Sequence, residues 1–319
     1  MLNLTMVNYH YQNESTTSSS SSSTITPLDF ESISEELQVM RRQEETHYKC
    51  TCEYMRNNNN DPKRKRMDES YREKMCEWSY RVIDHFHLNR EVIAVSFNYL
   101  DRFLDVCICD KTTLKLAAIT SLYIACKVYG TKELPLSVIV GLCRGEFFEE
   151  HITEMETIIL HSLSWRMHPP SAVSFISYLC KLFPSTLDPS ISHAILQRAS
   201  FFAELAAFDY YFAKEKSSSI ALSALVNAME GFDTNDIPVS TRTDFLRAVS
   251  SVAGLSYDNS IAMAQKRLWK LYSRSKQFTL DDADLTYSDD DDTVIFVKKQ
   301  RGSGSSNRSP VSVCRLDSF

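Results

Sequence analysis

A chain of 319 residues carries only seven glycines and a formal net charge of −6. So few glycines exclude turn-rich β architectures. The negative charge argues against general nucleic-acid binding, and no GxxxxGK[ST] phosphate cradle occurs, the only GxG being Gly302–Gly304.

No cleavable signal peptide and no long apolar span are present, so the chain is expected to be soluble and intracellular. Its nine cysteines then read as reduced thiols. The CxC pairs Cys50–Cys52 and Cys107–Cys109 lack further ligands at ribbon-like spacing, so no metal and no cofactor are expected. The pattern is all-α throughout.

Residues 1–28, with the run STTSSSSSSST at 15–24, cannot bury enough apolar surface to offset chain entropy and read as a disordered tail. Residues 29–66 form the next unit. Within it, 31–48 reads as an amphipathic helix with the stripe Ile33, Leu37 and Met40. So short a helix is marginal alone in water and must dock on something. Behind it, Lys63-Arg64-Lys65-Arg66 reads as a nuclear import signal or as a solvated linker.

Five helices follow in 67–169. The first, 70–86, carries Met75, Trp78, Val82 and Phe86 on one face. The second starts after Asn89 and buries Val92, Val95, Tyr99 and Phe103. The third starts after Asp110; Asn and Asp are good N-caps. Its Leu116-Ala117-Ala118 to Ala125 stretch predicts a central helix that others approach closely. Pro135 starts a short fourth helix to about Leu142, and the fifth runs from 149 to 163. Pro169-Pro170 breaks the chain. A second set, within 170–276, is predicted at 171–183, 188–213, 215–230, 238–252 and 257–275. Residues 277–319, with the acidic run Asp289 to Asp292, read as a disordered tail.

Four charges lie inside these packed segments: Arg72, Asp101, Lys127 and Glu156. An unpaired desolvated charge costs several kcal/mol, so each must pair within the fold or with another protein.

NYLDRFL (98–104), the Ala-rich helix ending in ACK (125–127) and EMETIILHSLSW (154–165) resemble the cyclin box. The family's five hallmark residues match Arg72, Asp101, Leu116, Lys127 and Glu156 in register. RRQEETHY (41–48), LPLS (134–137) and LSWRMHPPSAVSFI (163–176) are most similar to D-type and diatom-type cyclins. The chain departs from the pattern in that LxCxE is absent, the nearest text being KCTCE (49–53), and in that Tyr129-Gly130 replace two acidic residues.

The resemblance implies two tandem five-helix cyclin folds with an extra N-terminal helix and disordered tails. It implies a non-enzymatic regulatory subunit that binds and activates a cyclin-dependent protein kinase in the nucleus. Arg72 and Asp101 would be a structural salt bridge. Lys127 and Glu156, spare in the free chain, would meet the kinase inside a collar of Ile124, Val128 and Leu160, with Trp165 as aromatic anchor. Tyr71, Lys74, Met75 and Trp78 match a shallow substrate-docking patch, with Lys74 placing a charge where the family has an aliphatic residue. Kinase substrates and ubiquitin-ligase adaptors are further expected partners; nucleic acid and membrane are not. Thr26-Pro27 and Ser309-Pro310 suit proline-directed kinases, and Ser288 suits an acid-directed one. The alternative is a cyclin-fold transcription adaptor, either of the general-factor IIB type or a transcriptional cyclin. The IIB-type reading calls for a basic surface and a zinc ribbon, and the sequence offers neither.

Overall fold

A computed structural model describes residues 27–52, 69–132 and 134–281. Residues 1–26 and 282–319, the Lys63–Arg66 run and the phosphorylation candidates Thr26, Ser288 and Ser309 lie outside them, whereas residues 27–28 and 277–281, expected in the disordered tails, are helical. Among the described residues the regular structure is entirely helical. No described helix is long and apolar enough to cross a membrane.

After α1 (Pro27–Thr46) come α2 (Glu69–His85), α3 (Glu91–Val106), α4 (Lys111–Tyr129), α5 (Leu136–Leu142) and α6 (Glu149–Ser162), which build a first lobe. The second lobe holds α7 (Ala172–Cys180), α8 (Pro189–Phe208), a short 3₁₀ turn (Tyr210–Lys214), α9 (Ser217–Glu230), α10 (Val239–Ala253) and α11 (Asn259–Asp281). Each lobe is organised around an alanine-rich helix. In α4, Ala117, Ala118 and Ala125 are buried where α3 and α6 press close. In α9, Ala221, Ala224 and Ala228 do the same for α7, α8 and α11. Small side chains let neighbouring backbones approach, and this makes the two lobes alike despite dissimilar sequences.

The caps follow the sequence closely. The Asp110 carboxylate accepts from the Thr113 amide at 2.7 Å, and Asp188 accepts from the Ser190 amide at 2.7 Å. At α3 the cap falls one residue later than expected, on Arg90, while Asn89 accepts from the Glu91 amide at 2.9 Å. The stretch predicted as one helix over 188–213 is broken at Asp209, whose side chain accepts from the Tyr211 amide and starts the 3₁₀ turn. A side-chain acceptor there competes with the helical ladder.

The stripe of α1 docks on the second lobe, although α1 precedes the first in sequence. Ile33, Leu37 and Met40 join the core formed by α7 to α11. Arg41 Nη1 donates to the Ala253 and Gly254 carbonyls, at 2.8 and 2.9 Å, where α10 ends. Glu44 accepts from the Ser218 amide at 3.0 Å, where α9 begins. A cation at a helix C-terminus and an anion at an N-terminus each complement the local partial charge.

Burial pushes the Glu44 carboxyl above its usual range, outweighing Ser218, Lys216 and Arg41, which pull it down. A raised folded-state pKa means the folded chain holds this proton more tightly. The associated stability is complete below the unfolded value near 4.5 and is lost as pH rises through the folded value. Glu44→Gln should therefore flatten part of the rise in stability on acidification from pH 7 towards 4.5. Parallel pH profiles of wild type and variant that superimpose would overturn this.

Candidate functional site

Arg72 and Asp101 join α2 to α3 as a buried bidentate pair. Nε donates to Oδ1 at 3.0 Å and Nη2 to Oδ2 at 2.8 Å. The third nitrogen, Nη1, donates to the Ala207 carbonyl at 2.9 Å, at the end of α8. The same arginine therefore ties three helices and both lobes. Its guanidinium also lies over the Phe97 ring, 4.8 Å from the centroid. A second tie runs beside it. Arg90 holds Asp84 with two bonds of 2.8 Å and reaches Glu204 at 3.1 Å, and Tyr80 stacks on Phe208 at 4.7 Å.

Lys127, in the last turn of α4, and Glu156, midway along α6, are not spare. Their side chains form an ion pair with each other at the surface, and Lys127 Nζ also sits 4.7 Å above the Tyr123 ring. The side chains are 42% and 15% exposed, so the pair remains accessible.

The expected apolar collar is only partly there. Val128 is 37% exposed and Leu160 is half-buried against the core. Ile124 is 1% exposed and belongs to the core. With α3 and α6 packed on α4, Tyr123, Lys127 and Val128 face outward near the end of α4, while Ile124 faces the core. Leu116 is half-buried, while Leu114 fills the core beside it.

Trp165 is 63% exposed, so it is not a core residue. The cause is local backbone geometry that the sequence does not announce. Ser164 and Trp165 both adopt the left-handed region, with φ of 52° and 59°. The Trp165 amide donates back to the Leu160 carbonyl at 2.9 Å, closing the end of α6 with the six-to-one bond of a Schellman-type cap. The ring is thrown outward, edge-on to His161 with centroids 5.9 Å apart. Each such residue costs of order 1–2 kcal/mol of backbone strain. Ile158, 42% exposed on the same helix, was not singled out from sequence.

The docking patch expected on α2 is not an open apolar surface. Met75 and Trp78 share the inward face with Val82 and are buried in the core. Lys74 is exposed, and half-buried Tyr71 lies under Lys111 Nζ at 5.6 Å from its ring. The eight described cysteines are free, with Cys50 and Cys52 bringing their sulfurs to 2.8 Å. The described residues hold no cluster of three or more side chains able to bind a metal ion.

Two family models match this chain: the cyclin N-terminal domain over residues 35–168 and the cyclin C-terminal domain over 170–297. Among curated proteins it is similar to the G1/S-specific cyclin-D1 of Mus musculus, with 26% identity over 164 residues, 51% of this chain and 55% of that one. It is similar to the G2/mitotic-specific cyclin-B2 of Oryzias latipes, with 27% identity over 157 residues, 49% of this chain and 39% of that one. The chain thus spans about half the length, or less, of the curated relatives it matches. Identities this close between D- and B-type relatives do not set one subgroup apart. A viral cyclin from herpesvirus saimiri shares the fold, with a TM-score of 0.61 and 18% identity, covering 75% of this chain and 97% of that structure.

Proposed function

The chain belongs to the cyclin family, and we propose that it is the regulatory subunit that binds and activates a cyclin-dependent protein kinase in cell-cycle control. The observation that carries this reading is the accessible Lys127–Glu156 pair, with Val128 next to Lys127 and the outward-facing Trp165 just past the end of α6, the helix that carries Glu156. An aromatic anchor and an aliphatic contact around a polar pair that can exchange partners are what an interface centre requires. Lys127 offers donors and Glu156 acceptors to main-chain atoms of a partner without any rearrangement of the lobe.

Activation then follows from differential binding. The subunit adds stability only to the kinase conformation whose regulatory helix is swung in, with its glutamate on the catalytic lysine. The chain contributes no reacting group of its own. Co-purification of a tagged full-length chain, followed by identification of the bound partner and a peptide-phosphorylation assay, tests the reading. Recovery without any protein kinase, under conditions where the chain is folded, would sink it.

Trp165 supplies a sharper test, because strain and function oppose each other there. Glycine adopts a positive φ freely. Trp165→Gly should leave the unfolding free energy unchanged or raise it by up to about 1 kcal/mol. The same substitution should weaken kinase binding by about 2 kcal/mol or more, the range of a hot-spot aromatic. Destabilisation with unchanged kinase affinity would show that the outward tryptophan serves the fold instead.

A further inference from the structure

Arg102 follows Asp101 in sequence but has a different environment. It is 93% buried, being 7% exposed, and has no carboxylate partner among the described residues. Nη1 donates to Asn98 Oδ1 at 3.2 Å and to the Arg166 carbonyl at 3.1 Å. Among the described residues its Nε and Nη2 have no acceptor, yet neither is sealed by them. The guanidinium is fixed in place by the Tyr48 ring, 4.9 Å away, and Tyr48 in turn accepts from the His168 amide at 3.3 Å.

A second arginine stands beside it. Arg166 is exposed, also lacks a carboxylate among the described residues, and pairs through Nη1 with His47 Nδ1. An arginine can only donate, so His47 Nδ1 is the acceptor in this contact. Burial, with Arg166 adding to it, pushes the Arg102 pKa down, while Tyr48, Tyr99 and Cys50 oppose the shift. The Arg102 and Arg166 guanidiniums and the His47 ring therefore lie close to one another, from α3, from the turn after α6 and from just past the end of α1, with no carboxylate on either arginine among the described residues. Other buried arginines in the chain are matched: Arg72 by Asp101, and Arg90 by Asp84 and Glu204.

We propose that Arg102, Arg166 and His47 form a site for one phosphate group, the phosphomonoester of a phosphoserine or phosphothreonine peptide. Two guanidiniums match the charge of a single dianion, and each can present a two-donor fork to its oxygens. One compact site on a chain of net charge −6 does not fit the repeated monoanionic phosphates of a nucleic acid. The site lies next to Trp165, so a phosphopeptide would enter at the edge of the proposed kinase surface. It stands on its own geometry and does not depend on that surface being used.

The test uses the full-length chain and two probes. Inorganic phosphate is titrated against potassium chloride at matched ionic strength, following the His47 imidazole resonances by NMR. A fluorescein-labelled phosphothreonine peptide and its unphosphorylated twin are then compared by anisotropy. Phosphate should shift His47 saturably where chloride does not. The phosphopeptide should bind at least ten-fold more tightly than its twin, with inorganic phosphate competing. Arg166→Gln, an exposed change that leaves the melting temperature unaltered, should lose at least ten-fold, and Arg166→Lys should recover part. Arg102→Gln should do the same, and Arg166→Gln keeps the test decisive if that buried variant fails to fold. Equal effects of phosphate and chloride, equal binding of the two peptides, or wild-type binding by Arg166→Gln would each overturn the site. Equal competition by a glutamate-containing peptide would overturn its assignment to phosphate.

Discussion

Asp101→Ala is expected to cost the chain about 3–5 kcal/mol of stability, because it leaves the buried Arg72 guanidinium without its carboxylate. Both bonds of the pair go at once, and both side chains are at most 5% exposed. Water cannot solvate the stranded charge without opening the seam between α2, α3 and the end of α8, since Arg72 also holds the Ala207 carbonyl. The loss should therefore appear as weakened interlobe docking as well as lower overall stability. Urea unfolding followed by circular dichroism measures the first loss, and hydrogen exchange along α8 locates the second. Asp101→Asn should lie between, keeping one acceptor but no charge. An unchanged urea midpoint for Asp101→Ala would show that the tie carries no net stability.

Much of this architecture is legible in the sequence because it depends on short-range rules. Periods of 3.6 residues place every helix, and the capping side chains of Asp110 and Asp188 mark where α4 and α8 begin, but several ends shift by three to six residues: α1 starts at Pro27, α7 ends at Cys180, α8 ends at Phe208 and α11 runs to Asp281. Alanine density marks the two central ones. The stripe Ile33, Leu37 and Met40 shows that α1 must be covered, but not by what: Arg41 meets Ala253 across more than two hundred residues. The same limit explains Ile124. A helical wheel gives the direction of a side chain relative to its own helix, whereas its exposure depends on how far neighbouring helices wrap round. Lys127 and Glu156 are recognisable as a pair through the family pattern, but their bond to each other depends on how α4 and α6 lie. Trp165 was expected as an anchor only through the family pattern, and the backbone turn that throws it outward gave no signal, since neither serine nor tryptophan favours a positive φ. Arg102 was hidden because its surroundings come from three separate stretches, 47–48, 98 and 166–168.

Because Lys127 and Glu156 satisfy each other in the free chain, single alanine substitutions mix two effects: loss of the intramolecular pair and loss of partner contacts. The first is small. An exposed pair contributes about 0–1 kcal/mol, and Lys127 is 42% exposed. The second should be large if these groups are desolvated against a kinase. Truncating one member of a buried charged hydrogen bond costs about 2–5 kcal/mol, roughly 30-fold in affinity or more. The charge-swapped double variant Lys127→Glu with Glu156→Lys separates them. It preserves an ion pair across α4 and α6, so its melting temperature should match wild type. It presents an acceptor where the partner meets a donor, and the reverse, so binding to the co-purified kinase should fall at least as far as in either single variant. Binding retained by the swap but lost by the alanines would mean that only the pair's geometry matters. Binding retained by all three would remove this surface from the interface and leave Trp165 to be tested alone.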